Sequence, residues 1–192
     1  MRSTPETVLS FDRDSTVDVN PPEDQEREAV PLSWVKYFAH ECDEIAVWVH
    51  GNQKLCDEGS LPGMATAIDL WTEATSGDPW ADFELAGEST SAIPYHHRRD
   101  RLRIIQDLYT DAPRGQPEFI VIDDADLSDL SSEGWTHYFS WDFVPELRNG
   151  DGPVNEPNDN PYCSEPADSE SCSCKAKRQD MWYRRQFALT SP

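Results

Sequence analysis

Two short, mostly apolar runs in this chain each stop at paired acids. Val8-Leu9-Ser10-Phe11 runs into Asp12-Arg13-Asp14-Ser15-Thr16, and Phe119-Ile120-Val121-Ile122 runs into Asp123-Asp124. An apolar run of this length, bounded by polar sequence, reads as a buried strand. Open α/β sheets bind ligands beyond the carboxyl ends of their strands. If the two strands are parallel neighbours, Asp12, Asp14, Asp123 and Asp124 converge on one end of the sheet. Carboxylates so placed repel one another unless a cation sits among them. A hard, oxygen-seeking ion such as Mg²⁺ is the natural occupant.

The intervening sequence supplies the helices of an α/β fold. Residues 17–30 carry two prolines and many acids and read as a loop or small flap after the first acidic run. Pro31 suits a helix's first turn, and Leu32, Val35, Phe38 and Ala39 follow at helical spacing. Ile45–His50 reads as a second buried strand, running into Gly51-Asn52. Residues 63–75 have a helical apolar face, and Phe83–Ala86 has the character of a short strand. The basic cluster from Tyr95 to Arg101 opens another helix, with Leu102, Ile105 and Leu108 on its apolar face. Residues 134–139 suggest a smaller strand, and 141–147 a closing amphipathic turn.

The two acid-tipped strands resemble those of the haloacid dehalogenase-like (HAD) superfamily, whose members are mostly phosphatases. DRDST at 12–16 matches that family's D-x-D-x-[TV] after a hydrophobic strand, and IVIDD at 120–124 matches its closing strand and acidic pair. The resemblance covers roughly residues 7–147. It implies a Rossmann-like parallel sheet with helices on both faces and, given the short intervals, a minimal cap or none. It further implies Asp12 as a nucleophile forming an aspartyl-phosphate and Asp14 as the acid and base, with Thr16 bracing the motif loop by hydrogen bonding to its backbone. Mg²⁺ would be held by Asp12, the Asp14 backbone carbonyl, Asp123 and Asp124. The family carries a Ser or Thr at the tip of the second strand and a Lys before the last. Here Gly51 stands at the expected hydroxyl position with Asn52 next, and no lysine lies in the second window. Gly51 and Asn52 can still offer N–H groups to phosphate, and Arg98 or Arg99 can grip it in place of lysine. Two functional readings follow: a Mg²⁺-dependent phosphohydrolase acting on a small phosphate ester or a phosphorylated macromolecule, and a degenerate HAD-like module that binds a ligand or protein without turnover.

Bulk charge narrows the setting. Against 37 acids stand 16 bases, a net charge of −21. The lysines are only Lys36, Lys54, Lys175 and Lys177. Such a surface suits molar salt, where carboxylates stay hydrated and their repulsion is screened. A halophilic, archaeal, cytoplasmic protein is the expectation. A general nucleic-acid binder would need a basic face and is disfavoured. No stretch has the ~20 apolar residues of a membrane span.

Residues 1–148 are expected to form the α/β core. From residue 149 to 192 the sequence turns to Pro, Asn, Asp, Glu and Ser, with little to bury, and reads as a disordered acidic linker or a loosely draped tail. Cys163, Cys172 and Cys174 fall within it. Their spacing differs from paired C-x-x-C zinc knuckles, so incidental or redox-sensitive thiols are favoured over zinc. Aromatic and arginine residues in 181–189 suggest docking on the core or a protein partner through 160–192.

Overall fold

The structure is a computed structural model that describes residues 5–78, 95–110, 112 and 115–174. The expected strand at Phe83–Ala86 and the segment 181–189 lie outside the described residues. Four strands form one parallel sheet: β1 (Thr7–Phe11), β2 (Ile45–Val49), β3 (Glu118–Ile122) and β4 (Trp135–Tyr138), in the order β2-β1-β3-β4. The register sets Phe11 level with both Val49 and Ile122, so β1, β2 and β3 end together. Both strands read from the acidic motifs are therefore central neighbours.

Strands in such a sheet are buried on both faces, which explains their near-continuous apolar sequence. Leu9, Phe11, Val47, Val49, Ile120 and Ile122 face one layer, formed by α1 (Leu32–Glu41) and α5 (Ser140–Asn149). Val8, Ala46, Trp48, Phe119 and Val121 face the other, formed by α3 (Met64–Thr75) and α4 (Tyr95–Asp107). Within this second layer Trp48 Nε1 donates to the Tyr109 hydroxyl at 2.8 Å. The fold is thus α/β and Rossmann-like, with helices on both sides.

Three elements differ from expectation. Lys54–Gly59 forms a short helix, α2, within a stretch that has no amphipathic period long enough to announce one. The closing turn is a full helix, α5, with Pro145 inside it. Pro145 argues against a helix from sequence, because it removes one backbone donor and crowds the preceding turn; burial of Phe143, Val144 and Leu147 outweighs that cost. Residues 150–174 are not loosely draped but return over α1. Tyr162 is buried and donates to Glu41 at 2.8 Å, Asn160 Nδ2 donates to the Ser33 carbonyl at 3.0 Å, and Ala167 N–H donates to the Glu58 carbonyl at 2.6 Å.

The 17–30 segment is a flap closed at its neck. Val17 and Val30 bridge and are fully buried. Asp18 accepts from Leu32 N–H at 2.8 Å, giving α1 the N-terminal acceptor that Pro31 cannot supply.

Candidate metal and phosphate site

The parallel register brings the tips of β1 and β3 side by side. Oxygens of Asp12, Asp123 and Asp124 lie within 4.8 Å of one another, with Asp12 and Asp123 buried and Asp124 exposed. Asp14 does not join them. Its carboxylate turns toward the flap and accepts from Arg13 Nη1 at 2.8 Å, Asn20 Nδ2 at 2.7 Å and Asn52 Nδ2 at 2.9 Å. Three of the four expected carboxylates therefore form the cluster, and the fourth stands beside it. Burial would raise the Asp14 pKa, but the donors from Asn52, Asn20 and Arg13 prevail and hold it below the usual value.

Arg98 supplies the positive charge. Its Nη1 lies 3.3 Å from Asp12 Oδ2, hydrogen-bonds Asp123 Oδ1 and lies 3.7 Å from Asp124 Oδ1. Arg99, one residue on, points elsewhere and pairs with Asp129 at the surface, because adjacent positions on a helix diverge by about 100°. Of the two arginines expected at the site, Arg98 reaches it. Arg101, buried, donates instead to the carbonyls of His50 and Gly51 at 3.1 and 3.3 Å, fixing the β2 tip to α4.

The electrostatics are uneven. Asp12 is pushed above its usual pKa, first by burial and then by Asp123. Burial also opposes charge on Asp123, but the hydrogen bond and charge of His50, with Arg98, bring it down to about 2. Asp124, at the edge of the cluster, is pushed up to about 6 by partial desolvation, then by Asp123 and Asp12.

Gly51 is explained by contact. A Cβ at this position would stand 1.7 Å from Asp12 Oδ1. No hydroxyl-bearing side chain fits there while Asp12 keeps this place. The next residue uses the opening: Asn52 N–H donates to Asp12 Oδ1 at 2.9 Å. Thr16 is also placed differently from expectation. Its Oγ1 is buried and has no hydrogen-bond partner among the described residues, so the hydroxyl does not brace the loop. The backbone does so instead: Val30 N–H donates to the Thr16 carbonyl at 2.8 Å and Val17 N–H to the Arg13 carbonyl at 3.0 Å. Ser15 completes the turn at φ 54°, in the left-handed region.

No family model, curated protein or solved structure matches the chain.

Two residues behind the cluster were not singled out from sequence. His50 is fully buried at the end of β2, with Nε2 2.9 Å from Asp123 Oδ2 and Nδ1 2.8 Å from Ser10 Oγ. The signal was present: a titratable residue closes the apolar run IAVWVH, level with Asp12. Glu58 on α2 is the other. Arg13 Nε and Nη2 donate to both its oxygens at 2.7 and 2.8 Å, clamping the motif loop. In front of the cluster an open pocket is lined by Ser15, Glu23, Arg27, Asp124 and Trp141. Arg27 lies over the Trp141 ring at 4.4 Å, at the edge of the flap.

Proposed function

We propose that this chain is a Mg²⁺-dependent phosphohydrolase of the HAD type that works through an aspartyl-phosphate on Asp12. The observation that carries this reading is the buried Asp12 Oδ2. It lies among three convergent carboxylates and has no hydrogen-bond partner among the described residues; its neighbour there is the Arg98 guanidinium. That oxygen is ion-paired with Arg98 at 3.3 Å but not hydrogen-bonded, and a buried carboxylate oxygen so placed suits the coordination of a hard cation. Asp12, Asp123 and Asp124 would hold Mg²⁺, which would offset charge on the phosphoryl oxygens.

The remaining chemistry falls to the chain's own groups. Asn52 N–H fixes Asp12 Oδ1 and leaves Oδ2 directed at the cluster. An Asp12 oxygen attacks phosphorus in line, and the ester oxygen leaves. In this reading Asp14, next to the cluster but outside it, takes a proton from the water that hydrolyses the aspartyl-phosphate; to protonate the leaving oxygen first, it must bind a proton once substrate displaces the Asn52, Asn20 and Arg13 donors. Arg98 balances charge on Asp12 and reaches the phosphoryl group, in the role that a lysine plays in the resembling family. Among the described residues the 17–30 flap leaves the pocket open, and this reading takes a minimal cap or none. A small phosphate ester or an exposed phosphorylated side chain is the substrate class.

The test is hydrolysis of an aryl phosphate in high salt, with and without Mg²⁺, by the native chain and Asp12→Asn. Metal-dependent turnover that falls at least a hundredfold in Asp12→Asn is the expected result. Mg²⁺ binding without turnover would favour the ligand-binding module instead.

A further inference from the structure

Away from the acidic cluster, the segment 150–174 presents an unexplained arrangement. It has few apolar residues, yet it keeps a fixed path over α1. The buried group it contributes is small: Tyr162, Ala167, Cys172 and Cys174, with Tyr37 and Cys163 packed alongside. Ordering each residue costs about 1–2 kcal/mol in backbone entropy, more than so small a core returns. Short segments of this kind usually rely on a covalent or metal staple.

The three cysteines of the segment meet at one point. Their sulfurs lie within 4.8 Å of one another, with Cys163 Sγ 3.8 Å from Cys172 Sγ and Cys172 Sγ 3.1 Å from Cys174 Sγ. Sulfurs bound to one tetrahedral zinc are about 3.8 Å apart, as follows from a Zn–S bond of about 2.3 Å. Beside them is a second anomaly. Lys36, on α1, is fully buried. Its Nζ donates to the carbonyls of Cys163 (3.0 Å) and Glu165, and lies 3.9, 3.8 and 3.5 Å from the sulfurs of Cys163, Cys172 and Cys174. No described carboxylate is within 4 Å of it; Asp18 feels its charge from farther off. A buried ammonium without a negative partner is strongly unfavourable.

We propose that Cys163, Cys172 and Cys174 form a zinc site that staples residues 160–174 to α1, with Lys36 as its outer-sphere charge partner. Three thiolates on a dication carry one net negative charge, and the Lys36 ammonium cancels it. Neutral thiols would leave Lys36 unbalanced, as would a disulfide between any two of them. Zinc binding releases the three thiol protons to solvent. The trio supplies three of the four tetrahedral ligands that zinc takes. Sulfur donors select zinc, whereas the carboxylate cluster selects a hard ion, so the two sites are independent.

The experiment uses the full chain, reduced and stripped of metal, in excess Mg²⁺ to occupy the carboxylates. Zinc is titrated and bound metal is counted; cobalt is then substituted and its spectrum recorded. One equivalent of zinc is expected, with a near-ultraviolet thiolate-to-cobalt charge-transfer band and the visible bands of tetrahedral cobalt. Binding should weaken at least tenfold in Cys172→Ser and in the milder, half-exposed Cys163→Ser, and be unchanged in Cys56→Ser. No bound zinc at saturation would overturn the proposal. So would one equivalent that survives both serine substitutions, or a cobalt spectrum without the thiolate band.

Discussion

At the scale of single residues, Arg98 carries the most consequence. It is the cation of a site built from three acids, and its side chain is only 15% exposed, so its removal leaves buried charge uncompensated. Arg98→Gln should destabilise the metal-free chain by roughly 3 kcal/mol, and saturating Mg²⁺ should recover more stability in the variant than in the native chain. Arg99→Gln removes an exposed pair with Asp129 and should cost less than about 1 kcal/mol. Thermal melts with and without Mg²⁺ make the comparison; equal Mg²⁺ effects in Arg98→Gln and native protein would sever Arg98 from the cluster. Sequence placed an arginine here but left two candidates, since it cannot give the rotation of a helix against the sheet. Gly51 shows a similar gap. Read along the chain it is a missing hydroxyl; in space it is the clearance that Asp12 occupies.

At the scale of elements, α2 and the end of α1 hold thiols that resist ionisation. Burial, then Asp57, pushes Cys56 up to about 12, and burial with Glu44, Glu41 and Asp43 does the same for Cys42. An unfolded thiol ionises near 8.5. The folded chain therefore holds these protons more tightly, and the thiols' contribution to stability should be flat up to about pH 8 and be lost as pH rises from about 9 toward 12. Denaturant midpoints across that range should show the decline, and Cys56→Ala should make it shallower; a parallel curve in the variant would contradict the assignment. Strands β1, β2 and β3 were legible because burial on both faces leaves a near-continuous apolar signature. Helices α1, α3 and α4 were legible from their periodicity. α2 was too short to show one, and α5 was obscured by Pro145. The path of 150–174 was hidden for another reason: what it packs on, including Lys36, Tyr37 and Glu41, lies far upstream.

For the whole molecule, charge is the dominant fact. With a net charge of −21, self-repulsion opposes the compact state, and added salt shortens its reach from about 10 Å at 0.1 M to about 3 Å at 1 M. The thermal midpoint should rise by several degrees between those concentrations of KCl. A flat or falling midpoint would remove the case for a halophilic protein. The composition made this much readable without any structure, because net charge needs no coordinates. It could not show that the few basic side chains are spent on particular acids: Arg13 on Glu58, Arg103 on Glu133, Arg148 on Glu28.

The strand order also has a consequence during synthesis. β1 is central, but its neighbour β3 is encoded far downstream, ending at Ile122. While a ribosome makes the intervening sequence, β1 can pair with β2 on one side only, and its other edge stays open. Such distant pairing is slow, and open edges invite association between chains. The acids that crowd the early sequence, from Asp12 through Glu28, add like-charge repulsion that opposes such association during that wait.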